Sequence, residues 1–392
     1  MNSFRWGYLA LLSAAVMVTV SLETLPAGIL PAMSAEFSQS GSGIGRLVSV
    51  WGFTVILTSL PLVRLFARWD RRTVTSLCLA ITGLFSLGTA LAPSYPIALL
   101  SRVLGGASHG LFWALVVVYA AALTPPRFLA AGIALVTGGS QLAAALVIPA
   151  AATLVEHVPW RMIYAAIAVL AVAIAVTIRL LLPADEPAPV MAQGTATSPW
   201  REPRLAGPAT LAVVALFFVF SHFVVYTYAT VFFTVDGSAD PRLGTYLAVI
   251  GVASILGLIV SGPLAGRWPR YGLVAYLLIF AGAMLLIVPT APGARLPGLA
   301  LWGLMFGVIG PAAQALALRF TPEGFRPTIS AAMVVTFNLG ISLGSFTGGI
   351  LVDSVGAHAT AYLAAGALTF AAGLAAWAGP RLREDPREVN RL

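Results

Sequence analysis

Residues 68–92 read RWDRRTVTSLCLAITGLFSLGTALA, a cluster of arginines followed at once by a long apolar run. An α-helix needs about 20 largely apolar residues to cross the hydrocarbon core of a bilayer, so the sequence predicts a transmembrane span over 72–92. A similar arginine cluster, RWPR over 267–270, occurs in the second half of the chain and is again followed by an apolar run. We call each of these two clusters an arginine corner. This repeat of a basic corner and a span predicts two related halves.

The composition points to a membrane protein. Hydrophobic residues make up 59% of the chain and charged residues only 9%, and the mean hydropathy is +0.93. A soluble domain has about a quarter of its residues charged, so most of the exterior is predicted to face hydrocarbon. The net charge of +8 does not indicate a nucleic-acid partner, because the basic residues lie in short loops between apolar runs, where they orient helices.

Several kinds of chemistry are excluded by missing residues. Every basic residue is an arginine, so the lysine of an ATP-binding phosphate loop is absent, and an ion gradient is the expected energy source. The single cysteine, Cys78, lies in an apolar run and the four histidines are scattered, which predicts no disulfide, no metal site and no cofactor. The sequence shows no candidate set of a nucleophile, a general base and a residue that orients the base, so we expect no enzyme activity.

The apolar runs predict about twelve transmembrane helices, an all-α membrane protein. The predicted spans are 7–30, 44–66, 72–92, 96–121, 129–153 and 161–182, then 209–234, 243–266, 271–290, 295–320, 327–352 and 357–379. The proline-rich segment 183–208 is interpreted as a linker. The chain therefore divides into a six-helix bundle at 1–182, the linker, and a pseudo-symmetric six-helix bundle at 209–392 with a short tail.

The arginines also predict the orientation. With the amino terminus inside, most arginines fall in cytoplasmic segments, which is the positive-inside pattern. Both termini and the linker are therefore expected in the cytoplasm, in a bacterial cytoplasmic membrane. Two parallel six-helix halves with such a linker are the layout of major facilitator transporters, whose substrate site lies between the halves.

Four segments resemble one branch of that superfamily, the drug:proton antiporters that include sugar-efflux and chloramphenicol-resistance exporters. The resemblance runs through nearly all of the chain and rests on ETLPAGILP at 23–31, SRVLGGASHG at 101–110, PWR at 159–161 with Tyr164, and FNLG at 337–340 with Gly344, Gly348 and Gly349. It implies a monomeric, proton-coupled exporter that moves a sugar-like or amphipathic drug-like molecule by alternating access.

Three ionisable residues inside predicted spans are candidates for proton coupling, because an ionisable group in the bilayer is costly and commonly functional. Glu23 and Arg102 are expected about 12 Å and about 9 Å from the same side of the membrane, so the two can share a level. We expect the carboxylate of Glu23 to pair with Arg102 and to release it on protonation. Residues 102, 106, 109 and 113 form one stripe of a helix, which predicts that His109, a titratable residue, and Trp113 face the same way.

Neutral polar and aromatic residues inside spans are candidates for a substrate cavity, although hydrogen bonding between helices is the ordinary alternative. These candidates are Trp113, Gln141, His222, Tyr226, Tyr228, Gln314 and Asn338. Gly139, Pro149 and Pro311 are candidates for hinges or kinks. Gly340, Gly344 and Gly348, spaced by four, indicate a helix–helix contact surface.

The two arginine corners are interpreted as anchors at the lipid headgroups, with a further role in locking an inner gate. Their residues are Arg68, Asp70 and Arg71 in the first copy and Arg267 and Arg270 in the second. Three functions remain open at this point. They are proton-driven export, facilitated diffusion or import by the same fold with Glu23 as a structural residue, and a membrane receptor that binds without transport.

Overall fold

The computed structural model describes residues 6–184, 205–235, 238–267, 271–288, 292–322 and 325–382, and this part of the chain is almost entirely helical. The helices of the first half are α1 (Trp6–Gly28), α2 (Leu30–Phe37), α3 (Gly41–Leu65), α4 (Arg71–Leu91), α5 (Tyr95–Leu123), α6 (Leu129–Thr137), α7 (Gly139–Leu142), α8 (Ile148–Leu154) and α9 (Trp160–Leu181). A π-helical turn, Ala143–Val147, joins α7 to α8.

The second half has the same helical character. Its helices are α10 (Ala206–Tyr226), α11 (Ala229–Phe232), α12 (Leu243–Arg267), α13 (Gly272–Leu286), α14 (Pro292–Arg319), α15 (Arg326–Ser354) and α16 (Ala359–Ala378), with a 3-10 turn at Gly379–Arg381. Two-residue strands β1 (Thr234–Val235) and β2 (Ser238–Ala239) pair antiparallel between α11 and α12.

Within the described residues, eleven helical segments are long and apolar enough to cross a membrane, and α13 is a shorter apolar helix. Eleven of the predicted spans correspond to these segments and the twelfth, 271–290, corresponds to α13. The prediction of a multi-pass, almost wholly α-helical membrane protein is therefore confirmed. The strands β1 and β2 are the exception that the sequence did not predict.

The carboxyl-terminal end of the first predicted span is wrong by a few residues. The span was predicted to run to residue 30, but α1 ends at Gly28 and Ile29 has non-helical backbone angles. Pro31 explains the break, because it has no N–H to donate to the carbonyl of residue 27 and its ring crowds that carbonyl. A new helix, α2, then continues to Phe37, and Ser38 ends it in the left-handed conformation with φ 52°.

The predicted span 209–234 is also wrong at its end. The helix α10 ends at Tyr226, eight residues before the predicted boundary, and α11 and β1 follow. Residues 223–235 are rich in Val, Thr, Tyr and Phe, the residues that favour extended backbone. The dipeptide Asp236-Gly237 in the sequence is a strong signal for a two-residue hairpin loop, so composition explains the change from helix to strand.

The chain divides into two compact units. One comprises Met1–Met191 with Thr227–Ala248, and the other Ala192–Tyr226 with Val249–Leu392. In the first unit α4 packs against α5 and α9, and α3 packs against α5; in the second α10 packs against α15 and α16. The predicted boundaries at 182 and 209 stay predictions, and most of the predicted linker lies outside the described residues.

Close helix packing in the second unit depends on glycine. A Cβ added to Gly340 would lie 2.8 Å from the carbonyl oxygen of Leu216, and one added to Gly344 would lie 2.6 Å from that of Phe220. Both distances are shorter than a normal contact. The predicted glycine contact surface on α15 is therefore confirmed at these two positions, where α15 meets α10.

Candidate functional site

Arg102 on α5 is completely buried and binds three other helices. Its guanidinium donates to the carbonyl oxygens of Leu47 (2.9 Å), Leu22 (2.6 Å) and Glu23 (2.6 Å) and to the hydroxyl of Tyr164 (3.0 Å). Leu22 and Glu23 belong to α1, Leu47 to α3 and Tyr164 to α9. The planar fork of arginine suits such a multiple contact, so Arg102 ties α1, α3 and α9 to α5.

The expected ion pair between Glu23 and Arg102 is wrong for this conformation. The structure brings the two residues together, but the guanidinium bonds the backbone carbonyl of Glu23 and not its carboxylate. The carboxylate instead lies beside His109 on α5, with 3.5 Å between Oε2 and Nε2. Its other oxygen, Oε1, is buried without a hydrogen-bond partner. The reason for the error is that backbone carbonyls compete for the same guanidinium, and that of Leu22 has no intrahelical donor because Pro26, four residues further on in α1, has no N–H.

His109 is held on both sides of its ring. Nδ1 lies 2.9 Å from the hydroxyl oxygen of Thr19 on α1, and Nε2 faces the carboxylate of Glu23. A hydroxyl donates as well as accepts, so Thr19 satisfies Nδ1 when the ring proton is on Nε2. That tautomer directs an N–H toward Glu23. Thr19 was not singled out in the sequence, because a threonine in an apolar helix gives no distinctive signal.

Trp51 on α3 lies between the two basic side chains of α5. Its ring centre is 4.1 Å from the guanidinium carbon of Arg102 and 5.3 Å from the ring of His109. It is fully buried, and it was not predicted as a site residue. A cation over a buried tryptophan face is stabilised by about 2 kcal/mol or more, so Trp51 contributes to holding a charge away from water.

In the second unit, His222 and Tyr226 of α10 lie in an aromatic cluster. The His222 ring stacks on Phe306 of α14 with centroids 3.8 Å apart and on Tyr226 with centroids 4.8 Å apart. Trp302 of α14 donates from Nε1 to His222 Nδ1 at 2.9 Å. The hydroxyl of Tyr226 is buried without a hydrogen-bond partner. Trp302 and Phe306 were not predicted, since aromatic residues in an apolar helix are ordinarily packing residues.

The remaining cavity candidates differ in their burial and contacts. Tyr228 follows the end of α10 and is fully buried, with its hydroxyl where a Cβ on Gly45 of α3 would stand. Asn338 donates to the carbonyl of Val334 in its own helix, at 3.0 Å. The others are less enclosed: Gln314 is exposed, and Gln141 and Trp113 are half-buried, with Trp113 6.4 Å from His109 between ring centres. Their role in a cavity stays a prediction.

At the first arginine corner, Asp70 forms the N-cap of α4. Its Oδ1 accepts from the backbone N–H of Thr73 at 2.9 Å, and Arg72 Nε lies 3.9 Å from the same oxygen. Partial burial raises the pKa of Asp70, but the hydrogen bonds from Thr73 and the charges of Arg72 and Arg179 outweigh it, and the pKa is held below its ordinary value. Asp70 therefore caps the first turn of α4.

The other gate residues are placed only in part. Arg68 is exposed and Arg71 half-buried at the start of α4. In the second copy, Arg267 is the last residue of α12 and Arg270 lies outside the described residues. The gating role of both corners stays a prediction.

The hinge candidates mark irregular backbone on one helix only. The fifth span is interrupted between α6 and α7 at Gly138, and a π-helical turn stands just before Pro149. Gly139 packs closely on α1, since a Cβ there would lie 2.2 Å from the carbonyl of Ser13. In contrast, α14 continues through Pro311 without interruption. Their use as hinges is untested.

A second charged cluster, which the sequence did not predict, lies where α2 meets α9. Arg161 donates from Nε to Glu36 at 2.6 Å and from a terminal nitrogen to the carbonyl of Ala90 at 2.5 Å. Trp160 Nε1 donates to the other oxygen of Glu36. The residues PWR in the motif could have pointed to it, but Glu36 belongs to a helix that was not expected.

No group of three or more His, Cys, Asp or Glu that could hold a metal is found among the described residues. Where α1 and α5 meet in the first unit, a carboxyl (Glu23), an imidazole (His109) and a guanidinium (Arg102) are buried together inside membrane-spanning helices. Ionisable groups so placed are characteristic of ion and substrate pathways. The fold and the site therefore define a membrane transporter.

Comparisons with known proteins give the family. The sequence model described as Major Facilitator Superfamily matches residues 11–345. The chain is 31% identical over 365 residues to the chloramphenicol efflux pump Rv0191 of Mycobacterium tuberculosis (strain ATCC 25618 / H37Rv), which covers 88% of this chain and 86% of that pump. The chain belongs to the Major Facilitator Superfamily and is a transporter, not an enzyme. The similarity agrees with the antiporter branch that the motifs resemble.

Solved structures show the same fold. A bacterial homologue of the human lysosomal transporter Spinster, in an inward-facing and occupied conformation, matches with a TM-score of 0.76 at 16% identity, covering 98% of this chain and 100% of that one. The xylose transporter XylE from E. coli, in an inward open conformation, matches with a TM-score of 0.74 at 15% identity and 97% coverage of both chains. At these identities the likeness concerns the fold alone.

Proposed function

We propose that this chain is a proton-coupled exporter of a small amphipathic molecule, with Glu23 as the proton carrier. Protons enter down their gradient while substrate leaves, and neither ATP nor a cofactor is needed. The proposal places the chain in a bacterial cytoplasmic membrane with both termini inside, acting as a monomer. The observation that carries it is the buried carboxyl of Glu23, which has one oxygen without a hydrogen-bond partner and the other 3.5 Å from His109.

The physical argument concerns the cost of a buried charge. A charged carboxylate inside a membrane protein costs several kcal/mol unless it is paired or fully hydrogen-bonded. Arg102 does not give Glu23 that pairing, because its guanidinium donates to three carbonyls and to Tyr164 and makes no hydrogen bond to the carboxylate. Binding of a proton would relieve the cost at Oε1, so protonation would change which conformation is favoured.

His109 is proposed to assist as a positioning residue. With Nδ1 bonded to Thr19, its Nε2–H is directed at the carboxylate and stabilises the charged form. Loss of that charge on protonation removes the attraction between α5 and α1 at this point. Proton binding is thereby linked to the packing of two helices of the first unit.

The substrate is proposed from the relatives and from the second unit. Pumps that are 31% identical to this chain carry the name chloramphenicol efflux pump. The aromatic cluster of His222, Tyr226, Trp302 and Phe306 contains flat rings and no charged group. Such surroundings suit a neutral amphipathic molecule with an aromatic ring better than a sugar, which needs many hydrogen-bond partners.

A facilitator of the same fold is the second candidate. The observation that favours it is the clamp of Arg102, whose four hydrogen bonds make a complete structural contact without any titrating partner. On this account Glu23 only supplies a carbonyl to the clamp. Transport would then equilibrate the substrate and would not respond to a proton gradient.

Transport by purified protein in liposomes tests the two candidates. Wild type, Glu23→Gln and Glu156→Gln are compared with labelled chloramphenicol and labelled arabinose under an imposed pH gradient. Glu156 is an exposed acid between α8 and α9, so its variant is the matched control. Accumulation against the substrate gradient by wild type and the control, but only equilibration by Glu23→Gln, supports the exporter. Equilibration without accumulation by all three proteins supports the facilitator, whereas equal accumulation by all three removes Glu23 from the coupling mechanism.

A further inference from the structure

A groove of ≈ 630 Å³ lies between the first turns of α10 and the last turns of α16. This volume falls within the range of about 300–1,000 Å³ that is usual for small-molecule sites. Its lining is apolar apart from one hydroxyl and consists of Ala209, Thr210, Val213, Phe370, Gly373, Leu374 and Trp377. No residue of the transport site described above belongs to it.

The groove opens on an apolar surface. Phe370 and Trp377 are 54% and 48% exposed, and Phe217 of α10 packs edge-on against Phe370 with 5.0 Å between the ring centres. A Cβ added to Gly373 would have nothing within 4 Å, so the space above the backbone of α16 is empty there. In a membrane-spanning helix such a surface faces hydrocarbon, and a lipid chain is the natural occupant.

A cation stands at one end of the groove. Arg381 closes the spanning segment Ala359–Arg381 and lies one helical turn after Trp377, on the same face. Its guanidinium carbon is 3.6 Å from the centre of the Trp377 ring, and a terminal nitrogen donates to the Trp377 carbonyl at 2.7 Å. Within the described residues no carboxylate lies within ion-pair distance of Arg381, so the remaining N–H donors have no anionic acceptor there.

We propose that the groove and Arg381 form a binding site for an anionic glycerophospholipid. One acyl chain lies along Phe370 and Trp377 over Gly373, and the phosphate accepts hydrogen bonds from Arg381 at the end of the span. Arginine and tryptophan at a helix end mark the headgroup level, and a guanidinium binds phosphate with two parallel hydrogen bonds. A single cation with no described counter-ion favours a headgroup of net negative charge over a zwitterionic one.

Native mass spectrometry of the whole protein tests the site, with phosphatidylglycerol and phosphatidylcholine titrated separately into detergent solution. An arginine beside an anionic lipid surface contributes enough to change affinity about fivefold. Wild type should therefore retain phosphatidylglycerol in preference to phosphatidylcholine, and Arg381→Gln should weaken phosphatidylglycerol binding about fivefold. Arg64→Gln is the matched control, because Arg64 is an exposed arginine in the last turn of α3 and should bind as wild type does.

Two further variants separate the parts of the site. Gly373→Leu fills the groove and should reduce binding of both lipids, while the transport rate in a uniform lipid should stay measurable and report that the protein is folded. Glu384 and Asp385 follow in the sequence outside the described residues, and E384Q/D385N should bind phosphatidylglycerol at least as tightly as wild type, since it removes two negative charges from the sequence that follows Arg381.

Four results with the wild type and the single variants would overturn the proposal. They are equal retention of the two lipids by wild type, unchanged binding by Arg381→Gln, an equal loss in Arg64→Gln, and unchanged binding by a folded Gly373→Leu. Weaker binding of phosphatidylglycerol by E384Q/D385N would also contradict it. None of these results depends on whether the chain couples transport to protons.

Discussion

The ring of Trp51 lies over the guanidinium of Arg102, 4.1 Å from its central carbon, and α5 approaches close enough for this contact because residues 105 and 106 are glycines. A Cβ on Gly105 would be 2.7 Å from the Trp51 ring, and one on Gly106 would be 2.9 Å from the Trp51 carbonyl oxygen. One glycine thus makes room for the side chain of Trp51 and the other for its backbone.

This difference gives a prediction about rescue. Gly105→Ala and Gly106→Ala should each lower the free energy of unfolding by about 1–3 kcal/mol, the usual cost of overpacking. Trp51→Phe should relieve Gly105→Ala, because the smaller ring vacates the clash, and should leave Gly106→Ala unrelieved, because the carbonyl stays. The measurement is the unfolding midpoint in detergent of the single and double variants. Rescue of both glycine variants to the same degree would contradict this account.

Trp51→Phe is a suitable background in which to compare the two glycine variants. The indole nitrogen of Trp51 is buried without a hydrogen-bond partner, so the substitution removes no hydrogen bond and keeps an aromatic face over Arg102. Trp51→Ala removes that face as well and should cost about 3–5 kcal/mol, the usual range for a buried aromatic side chain.

The contact between Thr19 and His109 gives a second prediction. Thr19→Val keeps the shape but leaves Nδ1 of a buried imidazole without its partner, at a cost of about 1–3 kcal/mol. We expect lower stability and a changed dependence of the initial transport rate on pH. Thr24→Val is the matched control, since Thr24 is buried on the same helix and its hydroxyl bonds only the carbonyl of Val20, at 2.9 Å. An equal change in the two variants would remove the assigned role of Thr19.

Asp70 gives a prediction of pH dependence. Its folded pKa is below its ordinary value because of Thr73, Arg72 and Arg179, against the opposing effect of burial. A carboxyl with a lowered folded pKa stabilises the fold above its unfolded pKa of about 3.9, and this contribution is lost as the pH falls through the folded pKa. Asp70→Asn keeps a good N-cap and should therefore be less stable than wild type at pH 7, and the difference should disappear once the pH is below the folded pKa of Asp70.

Asp70→Ala removes both the charge and the cap, so it should cost about 1 kcal/mol more than Asp70→Asn. Thermal unfolding of the three proteins at pH 7 and at low pH measures both effects. A stability difference between wild type and Asp70→Asn that does not change with pH would show that the charge contributes nothing.

The spans were predictable because a run of about twenty apolar residues, in a chain with so few charged residues, is long enough to cross the bilayer as a helix. The proximity of Glu23 and Arg102 followed from their positions on two helices. The atoms that Arg102 binds did not follow, because they are backbone carbonyls; that of Leu22 has no intrahelical donor, since Pro26 inside α1 has no N–H. Trp51 and Thr19 were missed for a related reason, since side-chain contacts between helices depend on rotation about the helix axes, which an apolar sequence does not fix.

The hydrogen bond from Trp302 to His222 gives the last prediction. Trp302 Nε1 donates to Nδ1 of His222, and this places the ring proton of a neutral His222 on Nε2. Trp302→Phe leaves Nδ1 buried without a donor and should lower the free energy of unfolding by about 1–3 kcal/mol beyond the effect of the lost volume.

Replacing both partners by apolar rings of similar shape removes the unpaired group. The double variant Trp302→Phe with His222→Phe should therefore lose less unfolding free energy than the sum of the losses in the two single variants. A double-mutant cycle of unfolding free energies measures the difference. Strict additivity would mean that the bond contributes nothing to the cluster, and His222 would then be free to present either ring nitrogen to a substrate.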